Sequence, residues 1–322
     1  MRILLVRLDG VGDAAVCVPL IAALRAAGHE VGVALTTRNA GVFAPHAILT
    51  QHVLERIPWP AHGSTPASTA RATAEIAAMR YDVALIASEE PEAFALAQGI
   101  PERVGFTTGV ARPLKTLWVR GRTTRTVSRS QRLGTDDAHE VEVLYRLGAG
   151  LVRDERPPTD RSSLRMQLLE GPNVMTTRSP DPGGGSTIIT MQVGAKWIEA
   201  GVAPETLRTV VTRLARYGRI VAAPSEAEEM HRLTGVVPQT FESTRAWVEM
   251  LAGSATVVTV DTGAAHVAGM SCGRVIDVFP DAGFEAQVRR WRPWAAPYRA
   301  FRASEVDGGA QSRFIEAILD GV

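Results

Sequence analysis

The sequence predicts an α/β chain of two Rossmann-like, doubly wound domains facing across a cleft. Three observations carry this. Short apolar runs alternate with Ala-rich helical stretches, the pattern of βαβ units on a parallel sheet. The alternation occurs twice, with an interval rich in Pro, Gly and charge between the two series. The 322 residues suffice for two domains, each of about 150 residues with its own core.

The first series opens on "RILLVRL" (2–8) and bends at "DGVGD" (9–13) into an Ala-rich segment. There Pro19 suits a first helical turn after a bend, not the interior of one long helix. Strands are expected at 30–36 ("EVGVALT") and 82–87 ("DVALIA"), with a helix over 67–80. From 152 to 185 the texture changes to "VRDERPPTDRSSLRMQ" and "SPDPGGGS", a linker or irregular crossover. The second series has strands at 187–193, 219–223, 256–260 and 274–279 and helices at 204–217, 225–234 and 243–253, and "QVRRWRPWAAPY" (287–298) follows the last strand. Its tryptophans suit packing and its arginines could reach a ligand. The expected boundaries are an N-terminal domain 1–165, a linker 166–185 and a C-terminal domain 186–322. Ligands of such sheets lie at the carboxyl ends of the strands.

Composition narrows the class. With 45 % apolar residues, 21 % charged residues and a net charge of +1, the chain reads as globular and not as a nucleic-acid-coating protein. It opens on a strand, with no signal segment and no run of about 18 apolar residues, so a cytoplasmic location is expected. Cys17 and Cys272 lack CxxC spacing and read as reduced, buried fillers. All but two of the 35 Lys and Arg residues are arginine, the exceptions being Lys115 and Lys196. A lysine kept in such a chain suits a place where a planar guanidinium would not fit.

The stronger anion site is in the second series. In "VVTVDTGAAHVAGM" a buried strand ends at Asp261, and Thr262, Gly263 and Ala264 form the first turn of an Ala-rich helix. Free amides and the positive end of the helix dipole attract phosphate there. The Thr262 hydroxyl and His266 can add donors. An ordinary helix cap accounts for the same residues. Asp-Thr-Gly also occurs in aspartic proteases, which need paired copies in a mostly β fold; here a single copy opens a helix. Lys196, in "MQVGAKW", stands just past another strand end, as a counter-charge for a diphosphate or as a solvated loop lysine. The first-series turn, by contrast, sets two carboxylates, Asp9 and Asp13, where an anion would be welcome.

Together, "RLDGVGDAAVCVPLIAALRAAG" (7–28), "RVGF" (103–106), "HEVEVLYRLGAGL" (139–151), "GAKW" (194–197) and "VTVDTGAAHVAG" (258–269) followed by "VFP" resemble glycosyltransferase family 9. This family comprises the ADP-heptose-using heptosyltransferases of lipopolysaccharide core assembly and their relatives. The resemblance implies a GT-B fold, an inverting mechanism without metal or other cofactor, and a sugar nucleotide held mainly by the C-terminal domain. It explains the two carboxylates: with the nucleotide on the second domain, Asp13 is free to take the proton of the attacking acceptor hydroxyl as general base. A capping aspartate is the structural alternative, and both roles can coexist. The donor site implied is Lys196, Glu226, Asp261, Thr262, Gly263, Ala264 and His266, with Glu226 at the nucleoside; Glu228 and Glu229 fit equally by spacing, and all three could simply be a solvated helix face. The acceptor side is Arg7, Asp9, Gly12 and Arg120.

Where the family tends to carry small hydroxyl residues, this chain has Leu8 and Asp9, and again Met191 and Gln192. Asp9 is placed to repel Asp13 or to hold a cationic acceptor group. Residues 103–135 hold eight basic and no acidic residues, which suits an anionic acceptor, the inner membrane face, or a plain soluble loop. Few aromatics interleave, so nucleic acid is not an expected partner. The expected activity is transfer of a sugar, a heptose first of all, to a lipopolysaccharide-core or related glycan. A small secondary-metabolite acceptor, a sugar-nucleotide epimerase and a non-catalytic sugar-nucleotide binder are the alternatives.

Overall fold

The computed structural model describes residues 1–57, 63–129, 138–169 and 188–320. The chain divides into two compact units, Met1–Thr159 with Met166–Glu170, and Asp160–Arg165 with Gly171–Val322. The sequence suggested a first domain ending at 165, a linker over 166–185 and a second domain from 186. Instead 160–165 goes with the second unit, where the Arg161 guanidinium donates to the carbonyls of Cys272 (3.0 Å) and Gly273 (3.2 Å). Residues 166–169 return to the first unit, where the Gln167 carbonyl accepts from the Ala44 amide at 2.8 Å. Most of the expected linker, with "SPDPGGGS", lies outside the described residues.

In the first unit the elements run β1 (Arg2–Val6), α1 (Val11–Ala15), α2 (Val18–Ala26), β2 (Glu30–Thr36), β3 (Gln51–Leu54), α3 (Pro66–Met79), β4 (Val83–Ile86), α4 (Pro91–Leu96), β5 (Glu102–Thr107), α5 (Pro113–Arg120), β6 (Arg125–Ser128) and α6 (Glu140–Tyr145). The strands are parallel in the order β3-β2-β1-β4-β5-β6, the Rossmann order. Its switch point lies between β1 and β4. The central strands are hidden on both faces and therefore read as unbroken apolar runs. The outer strands β3 ("QHVL"), β5 ("ERVGFT") and β6 ("RTVS") escaped prediction, because partial exposure leaves them mixed with charge and hydroxyls. Pro19 stands in the first turn of α2, after the break that ends α1.

One glycine here is set by close approach. An ideal Cβ on Gly32, in β2, would lie 2.0 Å from the Tyr81 hydroxyl oxygen. Tyr81 is buried and its hydroxyl is joined to His52 Nε2 at 3.0 Å, so the ring has no free way out. Gly32→Ala is expected to destabilise the first unit by about 1–3 kcal/mol. Thermal melts check it; coincident melting of variant and wild type would show that Tyr81 yields freely.

The second unit comprises α7 (Arg161–Met166), β7 (Ile189–Val193), α8 (Lys196–Glu199), α9 (Pro204–Leu214), β8 (Gly218–Ala222), α10 (Ala227–Thr234), α11 (Thr244–Ala252), β9 (Thr256–Val260), α12 (Gly263–Ser271), β10 (Arg274–Phe279), α13 (Phe284–Trp291), β11 (Tyr298–Arg302) and α14 (Gln311–Leu319). Its parallel strands are ordered β8-β7-β9-β10-β11, the flavodoxin-like arrangement, with its switch point between β7 and β9. The segment 287–298 does not follow the last strand as expected: β11 begins at its final residue, Tyr298, and pairs with β10. Its sequence "YRAFR" carries two arginines because this edge strand is largely exposed. The core of this unit packs Ile189, Met191, Val258 and Val278 with Trp197 and Phe314.

Candidate functional site

Each switch point gathers one group of the expected residues. In the first unit, Arg7 directly follows β1 and its amide donates to the Ala34 carbonyl at 2.9 Å. Its side chain is only 3 % exposed. The guanidinium donates to the Ala87 carbonyl and to Asp13 Oδ1, and its Nε stands 3.3 Å from Asp9 Oδ2. Burial by itself lowers the Arg7 pKa, but Asp13 above all, then Cys17, Asp9 and Glu140, reverse this and raise it, so the charge is permanent. A buried cation is tolerable only when paired in this way.

Asp13 is the third residue of α1 and not its cap. Gly10 occupies the cap position, and its amide donates to Asp13 Oδ2 at 3.1 Å. Asp9 is held from the other side by Ser88, whose hydroxyl accepts from the Leu8 amide (2.7 Å) and donates to Asp9 Oδ2 (2.5 Å). Asn39 donates to the Arg7 and Asp9 carbonyls, and Arg56 donates to that of Leu8. The repulsion expected between Asp9 and Asp13 is therefore offset by the guanidinium that both share. Both carboxylates stay about one-third exposed, and Gly12 lies half-buried in the same turn. A hollow of about 550 Å³ in this unit is lined by Arg38, Arg56, Glu90 and Glu92. Burial pushes the Cys17 thiol up to about 12, so it is no nucleophile at neutral pH.

Two acceptor-side expectations change. Arg7 faces the protein: its guanidinium donates to Ala87 and Asp13 and its Nε stands beside Asp9, so it lies behind the carboxylates. Arg120 is not brought to the β1 turn. Helix α5 runs back from the strands' carboxyl ends, where Lys115 pairs with Glu89, toward their amino ends, where the Thr124 amide meets the Arg103 carbonyl. Arg120 closes that helix, near the far end of the sheet. Part of the basic stretch is neutralised, by Lys115–Glu89, Arg129–Glu140 (2.7 Å) and Arg125–Glu102 (3.6 Å). Arg132 lies outside the described residues.

In the second unit the β7 and β9 ends converge. The Glu226 carboxylate accepts from the Ala195 amide at 3.1 Å, and a Cβ on Gly194 would come 2.7 Å from it, so a glycine fits best there. Glu228 and Glu229 point to solvent on α10; of the three, Glu226 reaches this turn. Lys196 opens α8, 64 % exposed and paired with Glu199. Across the switch point, the Asp261 amide donates to the Val278 carbonyl at 3.1 Å. Thr262 is the cap residue of α12 and not part of its first turn, and its hydroxyl bonds that of Thr259 at 3.1 Å. Gly263 and Ala264 supply first-turn amides that no helical carbonyl can serve. His266 is buried beneath them, its Nε2 3.8 Å from Asp261 Oδ1 and its ring 5.7 Å from that of Trp291. Gln192, where a small hydroxyl residue was the family tendency, is structural: its Oε1 accepts from Trp247 and its carbonyl from Trp197.

Burial pushes Asp261 up to about 7, with Lys196 pulling the other way. The residue that sequence reasoning missed is Asp277. It sits inside β10, wholly buried, and among the described residues no side chain hydrogen-bonds either carboxylate oxygen. Burial first, then the charge of Asp261, raises its pKa well above the usual range. The signal was visible, a lone carboxylate in the apolar strand "RVIDVF". The Asp261–Asp277 pair thus binds more protons folded than unfolded, and stability falls as pH climbs from about 4, the ordinary carboxylate value, toward about 7. Asp277→Val is expected to flatten that slope and to stabilise the protein at pH 7 by about 1–3 kcal/mol. Urea unfolding at several pH values tests this; a less stable variant at pH 7 would mean that Asp277 has a partner after all.

Two doubly wound units, one ending in an arginine-held carboxylate turn and the other in an amide-rich helix start beside a lysine, define a two-domain Rossmann-like chain of GT-B type. Solved structures share this fold. The chain resembles the E. coli heptosyltransferase WaaC with ADP-2-deoxy-2-fluoro heptose, at 20 % identity and a TM-score of 0.69, over 98 % of this chain and 99 % of that one. E. coli ADP-heptose lps heptosyltransferase II aligns with 14 % identity and a TM-score of 0.69, over 99 % and 98 % of the two chains. A glycosyl transferase family 9 structure from Veillonella parvula covers 100 % of this chain and 89 % of its own, with 15 % identity and a TM-score of 0.66. No family model matches the sequence and no curated relative does, so the likeness is one of fold.

Proposed function

We propose that this protein is an inverting, metal-independent glycosyltransferase that moves a heptose from ADP-heptose to an acceptor hydroxyl on a lipopolysaccharide core or related glycan. The observation that carries the proposal is Asp13: a part-exposed carboxylate, held by a buried arginine and a backbone amide, at the β1 end where a Rossmann turn would otherwise cradle phosphate. The fold shared with the two E. coli heptosyltransferases supports the choice of donor.

Asp13 accepts the acceptor hydroxyl proton while that oxygen attacks the anomeric carbon. The bond from that carbon to the diphosphate breaks on the opposite face, which inverts the centre. The departing diphosphate takes the electron pair, and its charge is met by the Gly263 and Ala264 amides, the Thr262 hydroxyl and Lys196. Asp261, pushed up to about 7 by burial, is only partly ionised at neutral pH, which weakens its repulsion toward that anion. Glu226 is assigned to the nucleoside and His266 to the phosphate side. No metal is needed in this scheme.

The test is a panel of sugar nucleotides with and without glycan and small-molecule acceptors, read by nucleoside diphosphate release. ADP-heptose is expected to be consumed only with acceptor, and unchanged by a chelator. Isomerisation of the donor without acceptor would make the protein an epimerase, and binding without release a non-catalytic binder. Activity lost to chelator and restored by manganese would sink the metal-independent scheme.

A further inference from the structure

Helix α5 is apolar on the side that no described residue covers. It docks on its own sheet through Thr116 and Val119, which are 5 % and 1 % exposed. At 100° per residue, Leu114 and Leu117 fall on the opposite side. They are 82 % and 63 % exposed, and Val110, in the turn just before, is 98 % exposed. Leu114 and Leu117, at i and i+3, are neighbouring apolar tips on the outer side of one helix, and Val110 is exposed in the short turn Gly109–Ala111 that precedes it, a cluster unlike the scattered single residues of an ordinary exterior.

The segment that carries this surface has one sign of charge of its own, with Glu89 reaching it from outside to pair with Lys115. Residues 103–129 contain no Asp or Glu, and the exposed Arg112, Arg120 and Arg122 make no ion pair among the described residues. Arg122 lies over the Trp118 ring at 4.1 Å, and Trp118 meets Phe94 edge-on, their centroids 4.9 Å apart. Beside them runs a groove of about 650 Å³ between α4 and α5. Protruding leucines, a half-buried tryptophan and unpaired arginines are what an interfacial helix presents to a bilayer with anionic headgroups. A second copy of this chain fits less well, since it would bring arginine against arginine. No helix among the described residues is long and apolar enough to cross a membrane, so the contact would be with the surface alone.

We propose that α5, with the turn before it, is a membrane-docking surface that inserts Val110, Leu114 and Leu117 among anionic lipids while Arg112, Arg120 and Arg122 hold the headgroups. The proposal does not depend on the transfer reaction, and its test needs neither donor nor acceptor. The full-length protein is mixed with phosphatidylglycerol–phosphatidylethanolamine vesicles or with phosphatidylcholine vesicles and separated by flotation. Binding is expected to the anionic vesicles only, and to weaken with salt. The double variant Leu114→Ser, Leu117→Ser should lose about tenfold or more of it, with a wild-type melting temperature because neither side chain is packed. Arg112→Glu should also weaken binding while leaving the apolar tips in place. The proposal falls if wild type ignores anionic vesicles, or if the serine variant binds them as wild type does. It falls equally if light scattering shows wild type dimeric and the serine variant monomeric, since a second copy would then cover the face.

Discussion

Asp13→Asn is expected to lower turnover per folded molecule by about 10²–10⁴-fold, the usual share of a positioned general base. The amide cannot take the acceptor proton, yet it occupies the same volume. Affinity for nucleoside diphosphate should stay at the wild-type level, because the residues proposed to hold it belong to the second unit. Sequence alone predicts near-normal stability for this variant, since Asn caps helices well. The structure changes that expectation. Asp13 pairs with the buried Arg7 guanidinium and accepts the Gly10 amide, and a neutral amide satisfies the second better than the first. Asp9 and the Ala87 carbonyl remain on Arg7, and a third of the carboxylate is open to solvent, so the loss should be about 1–2 kcal/mol. Turnover, diphosphate affinity by calorimetry and melting temperature together separate the roles. Near-normal turnover in the folded Asn variant would refute the base assignment and leave Asp13 a partner of Arg7 alone.

Lys196→Ala is expected to weaken binding of the donor and of its nucleoside diphosphate by about 1.5–3 kcal/mol, roughly 10- to 150-fold. The lower end is favoured, because in the free protein Lys196 is largely exposed and already paired with Glu199, a contact that a phosphate must replace. A second consequence is electrostatic. Lys196 opposes the effect of burial on Asp261, so its removal should carry the Asp261 titration above about 7 and extend the fall of stability, which still begins near the ordinary carboxylate value, to higher pH. Calorimetry with the diphosphate alone tests the first effect and unfolding across pH the second. Unchanged affinity would make Lys196 a solvated loop lysine.

The sequence by itself determined what local pattern can encode. Strands hidden on both faces show as apolar runs, so β1, β2, β4 and β7 to β10 were placed to within a few residues, as was the break before Pro19. The Asp-Thr-Gly turn was legible as a helix start because capping is a matter of adjacent residues. Edge strands were not, since half-exposed backbone tolerates "RTVS" and "YRAFR", and those sequences carry no period that separates them from loop. Strand order, and with it the two switch points, is a long-range property, decided only when β1 lies between β2 and β4, and β7 between β8 and β9. The same holds for charge. Arg7 looked like a group free to meet a ligand; it is the buried counter-ion of Asp9 and Asp13, because folding brings Ala87 and Ser88, some 80 residues away in sequence, against the turn. Arg120 shares a basic stretch with Lys115, yet the two lie toward opposite ends of one helix. Asp277 became a proton-holding partner of Asp261 only when the sheet closed over it, since burial and the nearness of a second carboxylate are consequences of packing.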